Sequence, residues 1–182
     1  MPTLYQLKPA FQNLLRPLTA RLAAAGVTAN QVTIATGIAS VALGAWLTVT
    51  HRGWIALPFF LFARMALNAI DGMLAREYGQ QSELGAVLNE LSDAISDAAL
   101  TFPFATLPGW DPLAVCAAIF FAMLTEIPRR HDGPFGKSDR AFALGTLGVW
   151  VALGWPVSPI APYVWILLCC VTVVQRVRRA LG

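Results

Sequence analysis

Charge is what this chain has least of. Asp, Glu, Lys and Arg make up 13% of its 182 residues, about half the share of a water-soluble domain. Hydrophobic residues make up 57%, and the mean hydropathy is +0.60. That balance excludes an ordinary soluble domain. Cysteine is scarce as well. Cys116, Cys169 and Cys170 all sit in apolar runs without metal-ligand spacing, which argues against a disulfide framework and for packing thiols. The 12 prolines and 14 glycines follow no period, so a collagen-like or low-complexity chain is excluded too. The net charge of +3 does not point to nucleic acid, because the cations stand between apolar runs and form no patch with interleaved aromatics. What remains is a polytopic membrane protein whose cations mark the membrane surface.

The first 26 residues read as an amphipathic juxtamembrane helix. Leu4, Leu7, Phe11, Leu14, Leu18 and Leu22 recur at three- and four-residue intervals, which is one helical face. Lys8, Arg16 and Arg21 interrupt any continuous apolar core of the signal-peptide kind. Pro9 and Pro17 are expected to bend or divide the helix.

Residues 27–182 then read as one catalytic domain of six transmembrane helices, giving an all-α membrane bundle. The expected spans are 31–50, 54–75, 84–107, 112–127, 141–153 and 161–174. With both termini in the cytoplasm, eleven of the thirteen Lys and Arg residues fall inside, Arg52 falls outside, and Arg64 falls within the second span. That is the asymmetry expected of a six-span integral membrane protein with both termini inside, in the inner membrane if the source is bacterial. Trp46, Trp54, Trp110, Trp150, Trp155 and Trp165 fall toward the outer boundary, as an aromatic belt would. Gly37, Ser40 and Gly44 share nearly one face of the first span. They read as a helix-packing stripe, with homodimerisation as a second use.

Carboxylates inside apolar helices carry the chemistry. An ionised Asp near the bilayer centre costs about 2.5–3.5 kcal/mol even on permissive scales, yet the second and third spans hold several. Asn68 and Asp71 are three apart; Asn89, Asp93 and Asp97 are four apart; Glu90 flanks the second set. Each set shares a helical face. The short hairpin from Glu77 to Leu84 makes the two helices antiparallel neighbours. Gly72 and Gly85 leave room for a ligand or a neighbouring backbone. Such an oxygen-only set near the cytoplasmic surface suits Mg²⁺, Mn²⁺ or Ca²⁺ rather than zinc. A hard cation beside Arg76 is a clamp for a diphosphate. The same residues admit a polar network that only joins helices, or an ion-coupled transport pathway.

The stretch from Asn68 to Asp93 resembles the signature of the CDP-alcohol phosphatidyltransferase (phosphotransferase) family: Asp-x2-Asp-Gly-x2-Ala-Arg, eight or nine residues, Gly-x3-Asp-x3-Asp. Asp71, Gly72, Ala75, Arg76, Gly85 and Asp93 match it, while Asn68 and Asn89 stand where the family has its first and third aspartates. Val27 to Thr33 resembles the family's usual lead-in to the first span. The resemblance implies a membrane enzyme of phospholipid synthesis. It would move a phosphatidyl group from CDP-diacylglycerol to a small alcohol with release of CMP. Asp93 would be the general base. Asn68, Asp71, Asn89 and Asp93 would surround one or two Mg²⁺ or Mn²⁺ ions. Gly72, Ala75, Arg76 and Gly85 would line the nucleotide site, with Glu90 and Asp97 as auxiliary carboxylates. Two missing charges put a second ion in question. A non-catalytic relative that binds the CDP-lipid is the competing reading.

The loop from Arg129 to Arg140 brings cations to the cytoplasmic face. Lys137 and Arg140 are the candidates for holding a phosphate on the acceptor, such as glycerol 3-phosphate or inositol phosphate. Topology alone would also place cations there.

Overall fold

The computed structural model describes residues 4–127 and 133–181, with side chains from residue 9 onward. The side chains of Leu4, Leu7 and Lys8 and the cationic run Arg129, Arg130, His131 and Asp132 lie outside the described residues. Everything described is helix, turn or loop, without strands. In chain order the helices are α1 (Leu4–Ala24), α2 (Ala29–Thr50), α3 (Ala56–Glu77), α4 (Glu83–Thr101), α5 (Pro112–Leu124), α6 (Lys137–Ala152) and α7 (Ala161–Leu181), with a 3₁₀ turn at Phe102–Thr106.

Local chemistry explains the boundaries. Thr28 and Gln31 cap α2 reciprocally: Gln31 N donates to Thr28 Oγ1 (3.2 Å), and Thr28 N donates to Gln31 Oε1 (2.9 Å). Asp111 caps α5 by accepting from Leu113 N, with Pro112 in the first turn. Asp139 reaches back to the Gly136 amide (2.9 Å), so α6 begins at Lys137. Hydropathy had placed that start at 141. The polar first turn is helical because its cap is satisfied, whatever its hydrophobicity. The third expected span is shorter than its apolar run. Pro103 supplies no amide donor, and the chain tightens into the 3₁₀ turn after Thr101. In α1, Pro9 and Pro17 leave the helix undivided. The carbonyl that Pro17 leaves without a helical partner is that of the exposed Asn13.

Contacts divide the chain into two compact units. One comprises Met1–Ala39 and Phe62–Ile95, the other Ser40–Leu61 and Ser96–Gly182. In the first unit, Ala29, Val32, Ile70, Met73 and Leu74 form the core, and Leu15, Leu22 and Ala23 of α1 pack on it. The expected apolar face of α1 is thus split: Leu22 packs while Leu14 and Leu18 are exposed, and Leu15, outside that face, packs as well. Arg16 pairs with Glu77 at 3.0 Å.

In the second unit, Leu47, Trp54, Leu57, Leu100, Phe104 and Val115 are buried together. Trp54 and Trp110, expected in an aromatic belt, are core residues here. Both rings pack against Phe104, Trp54 edge to face and Trp110 tilted, with centroids 4.8 and 5.7 Å away. Trp46, Trp150 and Trp155 are exposed. The three cysteines are free, with Cys169 fully buried.

Among the described residues, two helices, Ala29–Thr50 and Ala56–Glu77, are long and apolar enough to cross a membrane. α5 is apolar but has 13 residues, and α4 carries Glu83, Glu90, Asp93 and Asp97. The small-residue stripe of α2 is used inside the chain. A Cβ on Gly37 would meet Ser92 Oγ at 2.7 Å, and one on Gly44 would overlap the Ala99 carbonyl of α4. Close approach through small residues is what holds helices together where lipid removes the hydrophobic drive. The Ala99 obstacle is backbone and cannot swing aside. Gly44→Ala should therefore destabilise the protein by about 1–3 kcal/mol. At Gly145 the nearest atoms to an added Cβ stand at 3.6 Å, and Gly145→Ala should melt near the native temperature. Thermal unfolding in detergent checks the pair.

Candidate active site

The signature residues converge in the first unit. α3 contributes Asn68, Asp71, Gly72, Ala75 and Arg76, and α4 contributes Gly85, Asn89 and Asp93. The helical spacing places each set on one face, and the turn at Gly79 (φ 67°) reverses the chain between them.

Asp71 is buried, 6% exposed. Its Oδ2 accepts a hydrogen bond of 2.9 Å from Thr33 Oγ1 on α2. A carboxylate at this depth needs such a donor, because unpaired burial of charge is costly. Gly72 stands one turn before Arg76. A Cβ there would lie 2.8 Å from Arg76 Nη2, so the missing side chain lets the guanidinium fold back along the helix. At Gly85 an added Cβ would lie 2.9 Å from Asn30 Oδ1 and 3.0 Å from Ser82 Oγ. The lead-in to α2 therefore closes on the start of α4. Gln80 ties the same corner, since its Oε1 accepts from Ala29 N at 2.7 Å.

Asp93 has two donors on α3. Arg64 Nη2 lies 3.1 Å from Asp93 Oδ1 and 3.2 Å from the Asp93 carbonyl. Asn68 Nδ2 donates to the same Oδ1 at 3.0 Å. Sequence reasoning noted Arg64 only as a cation inside a span. A signal was present, because an ionisable residue in an apolar helix, four before Asn68, marks a site by default. Thr33 carried no comparable signal.

Of the remaining candidates, Asn89 and Glu90, in the same unit on α4, are exposed. Asp97 belongs to the second unit, where its Oδ2 lies 3.7 Å from Arg140 Nη2. Arg140 is buried; it donates to Thr125 Oγ1 (2.7 Å) and to Glu126 Oε1 (2.8 Å). Arg176, also buried, donates to the Thr125 carbonyl and stands 3.9 Å from Glu126. Lys137 opens α6 and is half-buried.

Among the described residues, no three of His, Cys, Asp and Glu come together as an ion-holding group. The signature keeps two carboxylates, Asp71 and Asp93, and adds the amide oxygens of Asn68 and Asn89. That all-oxygen set fits a hard divalent cation.

Residues 26–177 match the model of the CDP-alcohol phosphatidyltransferase family. The inner membrane protein YnbA of Escherichia coli is 47% identical over 163 residues, covering 83% of this chain and 81% of that protein. The archaetidylinositol phosphate synthase of Pyrococcus horikoshii is 26% identical over 184 residues, covering 97% and 96%. The crystal structure of the Mycobacterium tuberculosis phosphatidylinositol phosphate synthase with CDP-DAG bound superposes with a TM-score of 0.71 at 24% identity. It covers 90% of this chain and 89% of that one. The same enzyme in complex with manganese and citrate gives a TM-score of 0.74. At that identity the structural likeness concerns the fold.

Proposed function

The chain belongs to the CDP-alcohol phosphatidyltransferase family, and from that premise we propose that it transfers the phosphatidyl group of CDP-diacylglycerol to a small alcohol, releasing CMP. The observation that carries this reading is the pair of buried or half-buried carboxylates, Asp71 and Asp93, on adjacent helices that also hold Gly72, Arg76 and Gly85. The acceptor hydroxyl gives its proton to Asp93. Its oxygen attacks the phosphorus that bears diacylglycerol, and the bond from that phosphorus to the CMP oxygen breaks. Arg76 offsets the negative charge of the diphosphate. Gly72, Ala75 and Gly85 leave a face without bulk where the nucleotide lies. Asn68, Asp71, Asn89 and Asp93 would hold the cation. When bound, Mg²⁺ or Mn²⁺ supplies charge neutralisation for the diphosphate.

We propose six spans preceded by an interfacial α1, as one catalytic domain, with both termini and the site on the cytoplasmic side. Large apolar side chains left in the open support this beyond α2 and α3. Leu113 on α5, Phe142 on α6 and Leu167 on α7 are 76%, 79% and 62% exposed. Such surface suits lipid rather than water. In a cysteine-free background, Pro108→Cys should label from outside and Ser138→Cys from inside. Labelling of both from one side would refute this topology.

The acceptor is proposed to be a phosphorylated polyol, such as glycerol 3-phosphate or inositol phosphate. The inositol-phosphate chemistry named for the Pyrococcus relative supports that class. So does the cationic start of α6 with Lys137 and Arg140. Lys137 and Arg140 are the cations proposed to meet an incoming phosphate, with Lys137 in the first turn of α6.

A CMP-release assay in detergent, with a panel of alcohols and metals, tests the reading. The native protein should release CMP only with a divalent cation and an acceptor. Asp71→Ala should abolish release, because it removes one of the two signature carboxylates. Full turnover in excess chelator would remove the cation from the mechanism.

The acceptor assignment has its own test. A charge-assisted contact is worth roughly 1.5–3 kcal/mol, so Lys137→Ala should raise the acceptor's KM by about 10- to 150-fold. The KM for CDP-diacylglycerol should stay put. An unchanged acceptor KM, or a native preference for uncharged alcohols, would redirect the search to alcohols such as serine or glycerol.

A further inference from the structure

We infer that Arg64 and Asn68 form a two-donor clamp that orients the Asp93 carboxylate for its reaction, so that the asparagine at position 68 is a working part of this site. The inference rests on the reading above, in which Asp93 takes the acceptor's proton.

Arg64 and Asn68 are four residues apart on α3 and so share a face. Both reach the same atom, Asp93 Oδ1, at 3.1 and 3.0 Å, and Arg64 also bonds the Asp93 backbone carbonyl at 3.2 Å. The side chains of Arg64 and Asp93 are 7% and 22% exposed. A guanidinium in an apolar helix is retained only where it has such a partner. An aspartate's terminal torsion is otherwise broad. Two donors on one oxygen, with the backbone carbonyl held by the same guanidinium, remove that freedom and set where the second oxygen is presented.

The residue type at 68 follows from this. An ionised carboxylate only accepts hydrogen bonds, so the group beside Oδ1 must donate, and an amide does. An aspartate there would place a second carboxylate about 3 Å away, where like charges repel. The amide also keeps a carbonyl oxygen that a cation can use. Arg64 adds a positive charge and Asn68 removes a negative one, so the two residues form a single device that differs from a four-aspartate signature.

Two measurements test it. The first is a double-mutant cycle on thermal unfolding in detergent with Arg64→Met, Asp93→Asn and the pair. The melting shifts should be non-additive, with the pair melting higher than the sum of the single losses predicts. Additive shifts would overturn the clamp, whatever the activity. The second is steady-state CMP release at saturating Mn²⁺. Arg64→Met and Asn68→Leu should each lower kcat by about 100-fold, the scale of a misplaced reacting group. In Arg64→Met, KM for both substrates should hold within about 2-fold. Arg64→Lys should recover part of kcat, since it keeps the charge without the planar fork. Asn68→Asp, which restores the family's usual residue, should be slower than the native protein. Asn68→Asp at or above the native kcat, or losses confined to KM, would overturn the positioning role. A native protein that releases no CMP with any acceptor would overturn the transferase reading and with it the catalytic role. The melting cycle would still decide whether the clamp exists.

Discussion

A charge inside an apolar helix must have a partner, and the organisation of this protein follows from how each one finds it. In the first unit, Asp71 is met by Thr33, and Asp93 by Arg64 and Asn68. In the second, Arg140 is met by Thr125, Glu126 and Asp97, and Arg176 by Thr125 and Glu126. Burial of an ion costs several kcal/mol that only good geometry offsets. Helix register in each unit is therefore constrained by polar contacts as much as by packing. Sliding α3 against α4 by one residue would separate Asp93 from both of its donors at once.

Packing serves that constraint. Gly37 and Gly44 let the backbones of α2 and α4 come close, and Ser92 uses the approach to donate to the Thr33 carbonyl at 3.1 Å. Thr33 is the residue that holds Asp71, so the small face of α2 and the acidic face of α3 are linked through one backbone position. The capping pair Thr28–Gln31 fixes where α2 begins, and with it the height at which Thr33 meets Asp71. The stripe that the sequence reads as a helix-packing face thus helps to position a carboxylate.

The asparagines at 68 and 89 take different positions in the structure. Asn68 is half-buried and bonded to Asp93, while Asn89 is exposed. The same substitution type thus removes charge from two unlike environments. At 68 a guanidinium stands beside the shared carboxylate.

Much of the fold was legible in the sequence, because hydropathy and helical period are local quantities. The seven helices among the described residues, the hairpin between the acidic helices and the face shared by Asn68 and Asp71 or by Asn89 and Asp93 all follow from spacing along one chain. Boundaries were less legible where caps decide them. α6 starts at Lys137 because Asp139 bonds Gly136, and the third apolar run breaks at Pro103; hydropathy averages over both. The site was legible as a list of residues but not as a set of pairs. Only the tertiary structure put Thr33 on Asp71 and Arg64 on Asp93, sent Asp97 to Arg140, and buried Trp54 and Trp110 on Phe104. Those choices depend on which helix faces lie side by side, and that is settled by matching buried charges and close-packed surfaces from distant parts of the chain, information that no local period contains.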